Sequence, residues 1–81
     1  MWRLDDNELA VLVAVAKLGM VKGDMLNLAH EANLTLARTM DVRDYLIRMG
    51  YLVETQRRYR ITEEGERALV RNLGRRKKRE A

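Results

Sequence analysis

Apolar residues recur at helical spacing in four stretches of this chain, and two short apolar runs interrupt that pattern near its middle. In DDNELAVLVAVAKL (residues 5–18), Leu9, Leu12, Val13 and Ala16 follow i, i+3, i+4, i+7 and predict a first amphipathic helix. Asp5 or Asp6 suits its N-cap, Glu8 suits the positive end of its dipole, and Gly19 suits the residue just past its end. Val11 and Val15 lie off the stripe. This helix is therefore apolar over a wide arc, and either sits centrally or meets a second partner. The connector GMVKG contains a Met20-Val21 pair that suits a one-rung strand. Asp24 then caps a short helix from Met25 to Ala32, with Met25, Leu28, Ala29 and Ala32 in phase.

Asn33 is the non-glycine residue best suited to a left-handed turn, Leu34 fills the corner, and Thr35 caps a third helix from Leu36 to Met49 closed by Gly50. At about 100° per residue, Thr39, Val42, Leu46 and Met49 share one apolar side. Leu36, Met40 and Ile47 adjoin it. Ala37, Asp41, Asp44 and Arg48 form the polar face, with Arg38 at its edge. Tyr51–Thr55 and Arg58–Thr62 read as strands around a turn near Gln56-Arg57. No Gly or Asn-Gly stands there, so a turn other than the favoured two-residue type is expected. Thr62 caps a fourth helix, with Glu63 and Glu64 in its first turn and Leu69, Val70 and Leu73 as a narrow seam. Two helices joined by a tight turn, the second longer and closed by Gly, form the helix-turn-helix pattern. With a hairpin after it, the expectation is an α+β, mainly α fold: a winged helix-turn-helix of three helices, a two-stranded wing and a C-terminal helix.

Particular runs carry a family resemblance. LAHEANLT (residues 28–35) resembles the turn segment of winged helix-turn-helix transcription regulators, and the Thr35-to-Gly50 spacing resembles their reading helix. Gly50-Tyr51-Leu52 is similar to their exit into the wing. Ile61-Thr62-Glu63-Glu64-Gly65-Glu66-Arg67-Ala68-Leu69 is similar to the start of the last helix in MarR-like and PadR-like regulators, and to small winged-helix proteins of archaea and their viruses. The likeness spans about residues 24–73 and leaves both ends of the chain outside it. It implies that Thr35, Ala37, Arg38 and Asp41 face bases or phosphates, and that Arg57 and Arg58 lie on a wing that touches the minor groove or backbone. Arg43 departs from the pattern, since these families keep an aliphatic residue there. Either the helix register shifts or the arginine stem snorkels. Asp41 and Asp44 also depart, because both would face phosphates. A carboxylate can accept from cytosine N4, but that contact is uncommon.

Composition narrows the alternatives. Eighty-one residues make at most one domain, here 1–74, followed by a basic tail at 75–81. A core without Phe or Cys is small and has no disulfide to help it, so oligomerisation is the cheapest supplement. One His and no Cys exclude an ordinary zinc site. No Ser/His/Asp set, Cys or phosphate-cradling Gly loop is present, so neither catalysis nor a cofactor is expected, and a domain this small leaves no room for a small-molecule pocket. No apolar run approaches the roughly 20 residues that span a bilayer, and acidic residues precede Leu9–Ala16 where a secretory signal would be basic. A cytoplasmic protein, nucleoid-associated if it binds DNA, is expected. A charged fraction of 35% with few amides is compatible with a thermophile.

The net charge of +4 is uneven. Residues 1–74 hold eleven basic and eleven acidic side chains, so the excess lies in Arg75, Arg76, Lys77, Lys78 and Arg79, offset by Glu80. Such a run is either a solvated tail or a sequence-independent phosphate contact. The reading that joins these features is a DNA-binding transcription regulator acting on double-stranded DNA. Arg38 would read bases, Arg57 and Arg58, joined by Arg60, would hold the wing to DNA, and residues 75–79 would add phosphate contacts. A homodimer is expected from an apolar surplus at Trp2, Leu4, Val11, Val15, Leu69, Val70 and Leu73. The alternative is a protein-interaction module on the same fold, favoured by Asp41 and Asp44. An RNA-binding protein has no aromatic stacking platform to support it.

Overall fold

A computed structural model describes residues 3–19, 21–22 and 25–80, with residues 21–22 and 75–80 described by backbone path alone. Trp2, and Asp24 as the expected cap of the second helix, lie outside the described residues. The chain runs α1 (Asp6–Leu18), β1 (Val21–Lys22), α2 (Met25–Ala32), α3 (Leu36–Arg48), β2 (Leu52–Thr55), β3 (Arg58–Ile61) and α4 (Glu63–Glu80). This is an α+β, mainly helical fold in the winged-helix layout. Its sheet is antiparallel in the order β1-β3-β2. The wing hairpin therefore gains a third strand, because Val21 and Lys22 pair with Tyr59 and Arg58. Among the described residues, no helix is long and apolar enough to cross a membrane.

Local chemistry sets the helix ends. Asp5 caps α1 in a reciprocal box: the Glu8 N–H donates to Asp5 Oδ1 at 2.7 Å, and the Asp5 N–H donates to Glu8 Oε1 at 3.0 Å. The chain leaves α1 through Gly19 at φ 82°. Asn33 turns the corner between α2 and α3 at φ 58°, as its residue type predicts. Its N–H and that of Leu34 donate to the carbonyls of His30 and Ala29, so the last turn of α2 has partners. Thr35 Oγ1 accepts from the Arg38 N–H at 3.1 Å and starts α3.

The core is built around α1, which packs against α2, α3, α4 and β3. Val11, Leu12 and Val15 are fully buried there, as are Leu28 of α2 and Leu46 of α3. The wide apolar arc of α1 thus marks a central helix. Burying each such side chain contributes about 1.5–3 kcal/mol, a gain already taken within one chain. This corrects the expected dimer surface. Leu4, Val11 and Val15 are covered by the protomer itself, and Leu4 belongs to the core cluster. Leu4 is held there by Asn72, which is buried on α4 and accepts the Leu4 N–H at 3.2 Å while donating to the Ala68 carbonyl at 2.7 Å. Among the described residues of that expected surface, Val70 (69% exposed), Leu73 (41%) and the half-buried Leu69 remain open.

Candidate nucleic-acid interface

Helix α3 is fixed by three inward residues, Thr39, Val42 and Leu46, all buried. Thr39 is accommodated because its hydroxyl donates to the Thr35 carbonyl at 2.8 Å. Met49, expected on that side, is instead the exposed C-cap residue. The opposite face is open and carries Ala37, Asp41, Asp44 and Arg48, all exposed. Arg48 shares this face with Asp41 and Asp44 and belongs with the candidate site, although the expected set did not include it. Arg38 is also exposed, on the flank about 140° around the helix from Arg43. About 20° around the helix from Arg38 lies half-buried Tyr45, whose phenol is raised above its ordinary pKa by burial and then by Glu8, Tyr51 and Asp5.

Arg43 resolves the departure from the family pattern. The register of α3 is unshifted, and the arginine lies along the flank next to the sheet with its side chain only 16% exposed. Its guanidinium holds Asp44, with Nε 3.0 Å and Nη2 2.9 Å from Oδ1. The other terminal nitrogen, Nη1, donates to the Tyr59 hydroxyl at 3.3 Å, and that hydroxyl donates to Glu54 Oε2 at 3.3 Å. The guanidinium carbon also sits 5.4 Å from the Tyr59 ring centre, within range of a cation–π contact. One of the two carboxylates that would repel phosphate is therefore already paired.

The wing departs from the expected turn. Gln56 (φ 51°) and Arg57 (φ 63°) both take the left-handed conformation, and Thr55 pairs with Arg58 on either side of them. This is the two-residue geometry whose twist matches a hairpin, made without the Asn-Gly that usually supplies it. Side chains at such angles cost about 1 kcal/mol each or more. Register accounts for the rest. Tyr59 of β3 faces the core, while Arg58 and Arg60 are exposed on the other face. Thr55, Gln56, Arg58 and Arg60 line an open groove of about 180 Å³ on that outer side. Successive outward residues on a strand lie about 6.7 Å apart, so Arg58 and Arg60 form a row of two cations beside the Arg57 tip.

Ion pairing divides the basic residues. Lys17 is paired with Glu31, and Arg67 with both Glu63 and Glu64. Arg38, Arg48, Arg57 and Arg60 enter no ion pair among the described residues. The backbone of α4 continues to Glu80, so the basic run extends a helix that begins with three glutamates. The side chains of Arg75, Arg76, Lys77, Lys78 and Arg79 lie outside the described residues. No protein-family model and no curated protein matches this chain.

Proposed function

We propose that this protein is a sequence-specific binder of double-stranded DNA that regulates transcription in the cytoplasm, through a winged helix-turn-helix. The observation that carries this reading is the wing tip. A hairpin that accepts strain at Gln56 and Arg57 sets three exposed arginines, Arg57, Arg58 and Arg60, around one turn directly after a capped helix-turn-helix. In this reading α3 enters the major groove. Arg38 donates to guanine O6 and N7, while Ala37 and Asp41 line the centre, where Asp41 accepts from cytosine N4. Thr35 at the N-terminus of α3 meets a phosphate. Arg57 enters the minor groove, and Arg58 and Arg60 with the Thr55 hydroxyl hold the backbone. Residues 75–79 add phosphate contacts. A homodimer would present two reading helices to a pseudo-palindrome.

The test is duplex binding across a salt series. With about six phosphate contacts per dimer, log K against log salt should fall with a slope near −5. Removing residues 75–79 should flatten that slope and weaken all sequences alike, whereas Arg38→Ala should reduce discrimination between them. A wild-type chain that fails to bind heparin or mixed duplex at moderate salt would overturn the proposal. The second reading, a protein-interaction module, is favoured by Leu36 and Met40, which expose apolar surface on α3 itself. It expects binding without a steep salt slope.

A further inference from the structure

We infer that Arg43 is a positioning residue that ties the wing to α3, so that the helix face and the Arg57 tip meet a partner as one rigid surface. The inference concerns how the proposed DNA surface is assembled and rests on that reading only for its binding arm. The wing hairpin has four paired rungs, Leu52–Ile61, Val53–Arg60, Glu54–Tyr59 and Thr55–Arg58. The base of the hairpin is held without Arg43. Leu52 is buried, the Tyr51 N–H donates to the Leu46 carbonyl of α3 at 2.9 Å, and the Tyr51 carbonyl accepts the Thr62 N–H at 3.0 Å. Toward the tip, Thr55, Gln56, Arg57 and Arg58 are all exposed. The Glu54–Tyr59 rung is the last before that exposed end, and it is the rung that Arg43 grips.

The grip has three parts. Arg43 Nη1 donates to the Tyr59 hydroxyl, the hydroxyl donates a hydrogen bond to Glu54 across the rung, and the guanidinium lies near the Tyr59 ring. Asp44 holds the same guanidinium from the helix side, which limits its rotation. An aliphatic side chain at position 43 would fill the space but bond neither strand. The arginine therefore converts a packing position into a side-chain link between α3 and the tip-side half of the hairpin, whose outer strand partner at Tyr59 and Arg58 is β1.

The experiment is a pair of double-mutant cycles on duplex binding, in full-length chain verified as folded at the assay temperature. Arg57→Gln in the wild type should weaken binding about tenfold. In an Arg43→Met background the same change should cost less than about threefold, because the tip is no longer tied to α3. The control cycle pairs Arg43→Met with Arg38→Ala, which should be additive, since Arg38 is carried by α3 itself. Equal coupling to both sites would mean general loosening, and additivity at both would mean no tether; either result overturns the inference. Tyr59→Phe, which keeps the ring and removes only the hydroxyl, serves if Arg43→Met does not fold. A second readout needs no DNA. In Tyr59→Phe the Thr55 and Arg58 amides should exchange several-fold faster, while α3 is unchanged. Unchanged tip exchange also overturns the tether. If the wild type binds no duplex, the DNA reading fails and the exchange measurement alone decides the tether.

Discussion

The Thr62 hydroxyl donates to the Gly50 carbonyl at 2.6 Å and accepts the Gly65 N–H at 3.0 Å. One side chain thus caps α4 and fastens it to the exit of α3. Gly65 lies against the same junction. A Cβ there would overlap the Tyr51 carbonyl oxygen and stand 2.7 Å from Ile61 Cγ1. Helix propensity alone makes Gly→Ala favourable by about 1 kcal/mol. The clash is with backbone that Thr62 already holds, so sterics should win. Gly65→Ala is expected to destabilise the fold by about 3 kcal/mol in urea denaturation, and a stabilised variant would refute this packing. Tyr45 gives a pH test. Its folded pKa is raised, so the neutral phenol is favoured in the folded state and stability is full below the unfolded value near 10. As pH rises from about 9 to 11, the unfolded chain ionises first and stability should fall. Tyr45→Phe should reduce that fall, which denaturation midpoints across the range will report. The ITEEG run was recognisable in the sequence, but the reason for its glycine was not, because Tyr51 is fourteen residues away.

Among the elements, the helices were legible and the wing turn was not. Periodicity placed the inward faces of α2 and most of α3, since these are set by local phase against a single core. The expected turn type failed because residue preference was weighed without register. Four paired rungs leave two residues for the loop, and closure of the hairpin drives Gln56 and Arg57 to positive φ. Replacing them with Asn-Gly should therefore raise stability by about 1–2 kcal/mol while weakening duplex binding through loss of Arg57. Thermal or chemical denaturation beside a binding titration checks both signs, and a loss of stability would show that the turn is not strained. The one-rung strand was expected at Met20-Val21; the described strand is Val21–Lys22, and its pairing makes β3 the central strand of the sheet.

For the whole molecule, the burial of Leu4, Val11 and Val15 shrinks the surface left for a second copy. Stable interfaces bury roughly 800 Å² per partner, more than Leu69, Val70 and Leu73 can supply without their polar neighbours. A dimer through this seam should be a reversible one. Sedimentation is expected to show a monomer–dimer equilibrium that Val70→Glu shifts to monomer. A dimer indifferent to Val70→Glu would place the contact elsewhere, and a monomer at high micromolar concentration would remove it. The glutamates at the start of α4 and the basic run at its end give the helix opposite charges at its two ends, and each sign opposes the local helix dipole favourably.

Taken by itself, the sequence determined what depends on near neighbours: the caps at Thr35 and Thr62, a first cap at either Asp5 or Asp6, the left-handed corner at Asn33, the stop at Gly50, and the uneven placement of charge. These follow from backbone geometry and from side chains within a few residues, so tertiary contacts had little to override. Only the tertiary structure decided which apolar residues were spare, since α1 is surrounded by elements from both ends of the chain. It also decided the role of Arg43, whose partner Tyr59 lies sixteen positions away. Nothing local distinguishes a surface arginine from one that bridges a helix to a hairpin. That difference arises when the sheet folds back against α3 and brings a phenol within reach.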